Sequence, residues 1–205
     1  WIVRDRAGIK PLYYVEIEDN LYFSSDVKSL REINNFSVDS EKLLSYLTLS
    51  YVQEPFSIWE GVKKLPPASY MKIDRDGFHI KKYWGIKNFE NYNIKSQEVG
   101  EELEYLLNDS IRLQMRSDVP VGVFLSGGVD SSTIVALASQ KVDRLNTFTV
   151  NFESKNGRDN DYAIMVSKLY KTKHFQYTMN YDNYIDATNK FLKILDEPIA
   201  DSACI

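Results

Sequence analysis

At 205 residues the chain can hold one large domain or two small ones, and 43% apolar with 26% charged residues suits cores under a solvated surface. A formal charge of −4 with scattered basic residues leaves no electrostatic footprint for nucleic acid, and no apolar run approaches a membrane span or forms a signal peptide. Cys204 is the only cysteine, which excludes an intrachain disulfide and zinc-finger spacing and fits a reducing cytoplasm; His79 and His174 sit in no metal spacing.

Trp1-Ile2-Val3 reads as a strand already under way. Leu12 to Ile17 and Leu21 to Ser25 are β-prone runs around the turn Glu18-Asp19-Asn20. Asp26 to Arg31 predicts a short helix. Ser40 to Leu49 predicts another, with Leu43, Leu44 and Leu47 on one side. Lys63-Lys64 reads as solvated surface, and Pro66-Pro67 as an extended connector. Ser69 to Ile73 and Phe78 to Tyr83 flank the hairpin turn Asp74-Arg75-Asp76-Gly77.

Residues 86–96 are polar and irregular, and read as a linker between domains at 1–85 and 97–205. Beyond it helices and strands alternate. Leu103, Leu106, Leu107, Ile111 and Met115 share one helical face. Strand 121–125, helix 131–140 and strand 147–152 make a βαβ unit. Helix 160–171 and strand 174–179 follow. A last helix, 181–195, is expected to turn Tyr184, Phe191, Leu192 and Leu195 inward. The pattern is α/β with an open parallel sheet after a β-rich first part, and such sheets bind ligands at the carboxyl ends of their strands.

Ser126-Gly127-Gly128-Val129-Asp130-Ser131-Ser132 lies at one such end. Glycines admit backbone N–H groups close to an anion, and the following helix adds unpaired donors and a positive dipole end. The serines add hydroxyl donors. A carboxylate beside phosphate is repulsive unless a cation lies between, so Asp130 points to Mg²⁺ with a pyrophosphate group. No Gly-Lys-Ser/Thr follows, so this is no Walker A loop; the expectation moves to α-phosphate attack with pyrophosphate release. The alternative is a tight turn with Asp130 or Ser131 as a helix cap.

The loop resembles the pyrophosphate-binding motif of N-type ATP pyrophosphatases. Its lead-in, from Ser117-Asp118-Val119-Pro120 to Leu125, is similar to that of glutamine-hydrolysing asparagine synthetases. Arg4-Asp5-Arg6-Ala7-Gly8-Ile9-Lys10-Pro11-Leu12-Tyr13-Tyr14 with Phe23 to Leu30 resembles the end of that family's glutaminase domain. Ile58 to Ala68 through Tyr83-Trp84 resembles the segment that closes it. Asp196-Glu197-Pro198-Ile199-Ala200-Asp201-Ser202 resembles a synthetase motif. The four occur in the family's order.

The resemblance implies a partial N-terminal-nucleophile-type glutaminase domain, then a partial adenine-nucleotide α-hydrolase-like doubly wound sheet. It implies a cytoplasmic ligase that uses ATP and Mg²⁺ to adenylate aspartate, then amidates it with ammonia from glutamine. No nucleic-acid or membrane partner is expected, and a homodimer is allowed. By position, Ser126, Gly127, Gly128, Asp130, Ser131 and Ser132 would hold pyrophosphate, Asp130 would ligate Mg²⁺, and Leu125 and Val150 would line the nucleotide pocket. Core packing is the competing reading for Leu125 and Val150. Asp196, Glu197 and Asp201 would face the substrate, or else form a helix-end turn. Arg4-Asp5-Arg6 is expected to be an ion-paired structural turn bent at Gly8. The family's N-terminal catalytic cysteine and its downstream lysine have no counterpart here, so no catalytic residue is assigned, and the 205 residues are expected to be a piece, cut at both ends, that makes no asparagine alone. Two other functions compete: a β-lactam synthetase-like enzyme with another carboxylate substrate, and a scaffold that kept the fold without the chemistry.

Overall fold

A computed structural model describes residues 1–86, 96–153 and 158–201. Most of the expected linker, together with Ser202 and Cys204, lies outside them. The chain divides into two compact units: Trp1–Phe89 with Thr188–Ile205, and Glu90–Ala187.

The first unit holds two small antiparallel sheets. One is ordered β1 (Ile2–Val3), β5 (Ser69–Asp74), β6 (Gly77–Lys82); the other is β3 (Asn20–Ser24), β2 (Tyr13–Ile17), β4 (Lys63–Lys64). Side chains alternate along β2, so its two faces feed two cores. Tyr13 and Val15 pack with Val27, Leu30, Phe36 and Val62, while Tyr14 packs with Leu65 and Met71. Helix α1 (Val27–Arg31) begins one residue later than predicted, because Asp26 is its cap, with a carboxylate that accepts the Ser29 N–H at 2.8 Å. That contact, with the Ser29 hydroxyl, holds the Asp26 carboxyl below its usual range.

Helix α2 (Ser40–Leu49) has its predicted bounds, with Asp39 as its cap, but Leu43, Leu44 and Leu47 are exposed. Their spacing forecast the helix; nothing among the described residues covers the stripe. The Arg4-Asp5-Arg6 turn is ion-paired through Arg4, whose guanidinium lies 2.8 Å from the Glu54 carboxylate. Asp5 accepts the N–H groups of Lys10, Ile9 and Ala7, which hold its carboxyl below the usual range. Gly8 bends the chain at φ +66°, and a β-carbon there would strike Pro67 at 2.8 Å.

The second unit is a parallel sheet ordered β7 (Gly122–Phe124), β8 (Asn146–Phe152), β9 (Lys173–Met179), with α3 (Ser96–Gln114), α4 (Val129–Ala138) and α5 (Arg158–Leu169). Its core joins Ile111 of α3, Val135, Leu137 and Ala138 of α4, and Ala163 and Val166 of α5 with Leu125 and Leu145. Along α3 the predicted face is buried only toward its end: Ile111 is buried, whereas Leu103 and Leu106 are more than half exposed. Helix α6 (Tyr181–Ile194) has no buried residue, and Leu192, expected inward, is 62% exposed.

Polar side chains also sit inside this core. Thr147 shares hydrogen bonds with Thr172 at 2.7 Å and with His174 Nδ1 at 2.9 Å, which satisfies a fully buried hydroxyl. Burial depresses the pKa of His174, so it packs as a neutral imidazole. On the other face Phe124, Phe148 and Phe175 form a ladder in register, with Phe148 and Phe175 stacked at 5.2 Å. A parallel sheet with apolar residues on both faces can be covered on both.

Gly122 lies at the edge of that ladder, and a β-carbon there would overlap the Phe148 ring. Gly122→Ala is expected to cost about 1–3 kcal/mol, because the ring must leave its stack on Phe175. A lower urea midpoint at unchanged slope would show it; an unshifted midpoint would mean the ring moves freely.

Candidate active site: the serine-glycine loop

The chain leaves β7 through Leu125, whose N–H donates to the Phe148 carbonyl at 2.8 Å. Its carbonyl accepts the Thr149 hydroxyl from the neighbouring strand. Both polar groups of Leu125 are therefore fixed, and its side chain is 1% exposed in the core. This pins the strand exit and lets the next residues leave the sheet. Val150, by contrast, is half exposed on β8, three residues along from buried Thr147.

Gly127 then takes φ +83°, a left-handed turn that a side chain would strain. Gly128 is the helix cap, in extended conformation, with no side-chain hydrogen bond to the first turn. Neither Asp130 nor Ser131 caps the helix; Gly128 does. The helix begins two residues earlier than predicted, because a glycine cap gives no side-chain signal in sequence. Geometry leaves the N–H groups of Val129, Asp130 and Ser131 without an intrahelical acceptor, and Gly128 supplies none. Those amides are what an anion needs.

Hydroxyls bracket the opening. Ser126 Oγ and Ser131 Oγ are 3.1 Å apart; Ser131 also donates to the Gly128 carbonyl at 3.2 Å, and the Gly128 N–H reaches Ser126 Oγ at 3.4 Å. Ser132 donates its N–H to the Gly128 carbonyl as the helix closes its first bond. Asp130 is exposed in that first turn, and its carboxylate has no hydrogen bond or ion pair among the described residues. The loop thus gathers Ser126, Gly127, Gly128, Asp130, Ser131 and Ser132 in one place; Leu125 lies beneath it and Val150 on the adjoining strand.

The donor set fits Mg²⁺ held with phosphates. Mg²⁺ keeps most of its water and takes one or two carboxylates besides phosphate oxygens, which a single free carboxylate meets. Among the described residues no group of three or more metal-ligating side chains exists, so no all-protein cage competes. An open groove of about 580 Å³ also borders the loop, but Leu103, Leu107, Val129, Tyr162 and Met165 make it mainly apolar. Gly127, Val129 and Ser132 of the loop line one side of that groove.

Sequence reasoning missed two features. Thr149 was read only as part of a strand, although a threonine at alternate positions with Thr147 inside a core strand hints at a polar task. The acids after α6 are not free to face a substrate: Asp196 and Glu197 are both engaged within the first unit. Lys64, the ion-pair partner of Glu197, has a side chain only 12% exposed, not the solvated surface that a Lys-Lys pair suggests. No spacing in the sequence links positions 64 and 197.

A model of the glutamine amidotransferase domain family matches residues 1–84, and a model of the asparagine synthase family matches residues 102–205. The chain is 36% identical over 98% of its length to asparagine synthetase [glutamine-hydrolyzing] 1 of Bacillus subtilis. It is 34% identical over 82% of its length to that organism's asparagine synthetase [glutamine-hydrolyzing] 2, covering 24% of it. A Methanocaldococcus jannaschii sequence provisionally given the same kind of name is 36% identical over 97% of the chain. The chain spans 32% of the first of these and 40% of the last. With half its residues matched by the synthase family and nearly all the rest by the amidotransferase domain, the chain belongs to the asparagine synthase family.

Proposed function

We propose that the full-length protein carrying this chain is a glutamine-hydrolysing asparagine synthetase, a cytoplasmic ligase. An aspartate side-chain carboxylate attacks the α-phosphorus of ATP, the bond to the β-phosphate breaks, and pyrophosphate leaves. Ammonia from glutamine then attacks the acyl carbon, and AMP departs with the formation of asparagine. Residues 1–85 form the C-terminal part of the glutaminase domain, and 97–205 the N-terminal part of the synthetase.

One observation carries the reading: a helix start with no side-chain cap bond behind a left-handed glycine, with a free carboxylate in its first turn. The amides after Gly128, with the hydroxyls of Ser126, Ser131 and Ser132, hold the departing pyrophosphate. Preorganised donors of this kind stabilise charge as it develops without reorganising. Asp130 holds Mg²⁺, which when bound supplies charge neutralisation on the phosphate oxygens. Leu125 acts through its fixed backbone, as a floor to the loop, and Val150 offers an apolar surface on the open face of the sheet.

In the full-length protein, asparagine, AMP and pyrophosphate should appear in equal amounts, dependent on aspartate, ATP, Mg²⁺ and glutamine. AMP release that ignores aspartate, or that prefers another carboxylate, would move the assignment to a β-lactam synthetase-like relative. Absence of Mg²⁺-dependent ATP binding would favour a scaffold.

A further inference from the structure

The residues just after α6 make a dense set of polar contacts inside the first unit. The side chain of Glu197 is 12% exposed; it ion-pairs with Lys64, accepts the Ile58 N–H at 2.9 Å, and lies 3.4 Å from the Tyr13 hydroxyl. Asp196 accepts the Val27 N–H on its carboxylate at 3.0 Å and the Trp59 indole N–H on its carbonyl at 3.1 Å. Lys28 Nζ donates to the Lys193 carbonyl at 2.9 Å. The receiving loop is itself braced. Ser57 donates to the Val62 carbonyl at 2.8 Å, and the Arg31 guanidinium sits over the Trp59 ring at 4.5 Å. Burial, and then Glu197, push the Tyr13 phenol well above its usual range, so it stays a donor.

The partners divide by family segment. Tyr13, Val27, Lys28, Ile58, Trp59 and Lys64 fall in the stretch matched by the amidotransferase domain; residues 193–197 fall in the stretch matched by the synthase. Buried ion pairs seldom add net stability over an apolar pair of the same size, and their best-attested use is to fix one arrangement. Glu197 has three directional partners, so it specifies position more than it adds energy.

We infer that Asp196 and Glu197 form a latch through which the amidotransferase stretch fixes the synthase stretch after α6, and that they are positioning residues for glutamine-supported synthesis. The inference rests on the function proposed above. Supplied ammonia bypasses glutamine hydrolysis, so it separates positioning from chemistry. In the full-length protein, Glu197→Gln and Lys64→Met should each lower the ratio of glutamine-supported to ammonia-supported asparagine formation on the order of tenfold. Release of glutamate from glutamine should stay near the parent rate. Hydrogen exchange at the Ile58 amide should speed up in Glu197→Ala, which removes the acceptor. An equal fall in both synthesis rates, or an unchanged ratio, would overturn the positioning role. If the parent protein forms no asparagine from either nitrogen source, the proposed function has failed, and the exchange rate at Ile58 still decides the latch: unchanged protection in Glu197→Ala would remove it.

Discussion

Asp130→Ala in the full-length protein is expected to lower pyrophosphate release on the order of 10²–10³-fold with the fold intact, the scale on which single preorganised charge-stabilising groups act. The effect on rate is large because the loop holds one carboxylate and no lysine of the Walker type. Amides and hydroxyls can cradle phosphate oxygens, but each carries only a partial charge, and only a bound cation can neutralise them fully. The effect on stability is small for the opposite reason. Asp130 is exposed and makes no hydrogen bond or ion pair among the described residues, so its removal orphans no partner. What the helix loses is a favourable charge in its first turn, about 0.3–1 kcal/mol. Asp130→Asn keeps the shape and removes the charge, so it should fall nearly as far as alanine. The check is pyrophosphate release against Mg²⁺ concentration, with the unfolding midpoint measured on the same samples. A variant that turns over at the parent rate would remove Asp130 from the chemistry; a large drop in midpoint would make the rate loss a folding effect.

The same contrast explains what could be read in the sequence. Local rules worked where local physics decides. The hairpin Asn20–Ser24 on Tyr13–Ile17, the short helix near Asp26, the ten residues of α2 and the strand–loop–helix order at Ser126 all follow from turn residues, alternation and periodicity. Periodicity could not say what covers an apolar stripe. Leu44, Leu47 and Leu192 follow the pattern of inward residues and are exposed, because burial depends on what lies opposite. The start of α4 was missed by two residues because glycine caps through its backbone alone. The contacts of Glu197 were invisible for a different reason. Lys64 and Glu197 are distant in sequence, and each looks like an ordinary surface charge until the chain brings them together. Resemblance to a family supplied the expected role of the loop, but not the geometry that leaves its amides without an intrahelical acceptor.

Arg4→Met is expected to destabilise the first unit by about 3–5 kcal/mol, the cost of breaking a buried charged network from one side. Arg4 is 6% exposed and donates four hydrogen bonds: Nη1 to Glu54 at 2.8 Å and to the Leu65 carbonyl at 2.6 Å, Nη2 to the Gly8 carbonyl at 2.9 Å, and Nε to the Lys10 carbonyl at 3.0 Å. Its own backbone is held too, the N–H by Ser69 and the carbonyl by the Tyr83 hydroxyl at 2.8 Å. One guanidinium therefore ties the turn at Gly8–Lys10, the stretch leading into Pro66-Pro67, and the loop at Glu54. Methionine fills much of the volume but leaves three carbonyls and a carboxylate without their donor. Arg4→Lys should recover only part of the loss: a lysine has three donors on a single nitrogen, which cannot reach acceptors spread around a planar fork. A domain is held by only about 5–15 kcal/mol in all, so the methionine variant should be poorly soluble or melt far below the parent. Urea unfolding of parent, lysine and methionine forms in the full-length protein should rank them in that order. Should the methionine variant unfold within about 1 kcal/mol of the parent, the carbonyls around Arg4 must find water when it is gone, and the turn would owe its shape to Asp5 and Gly8 instead.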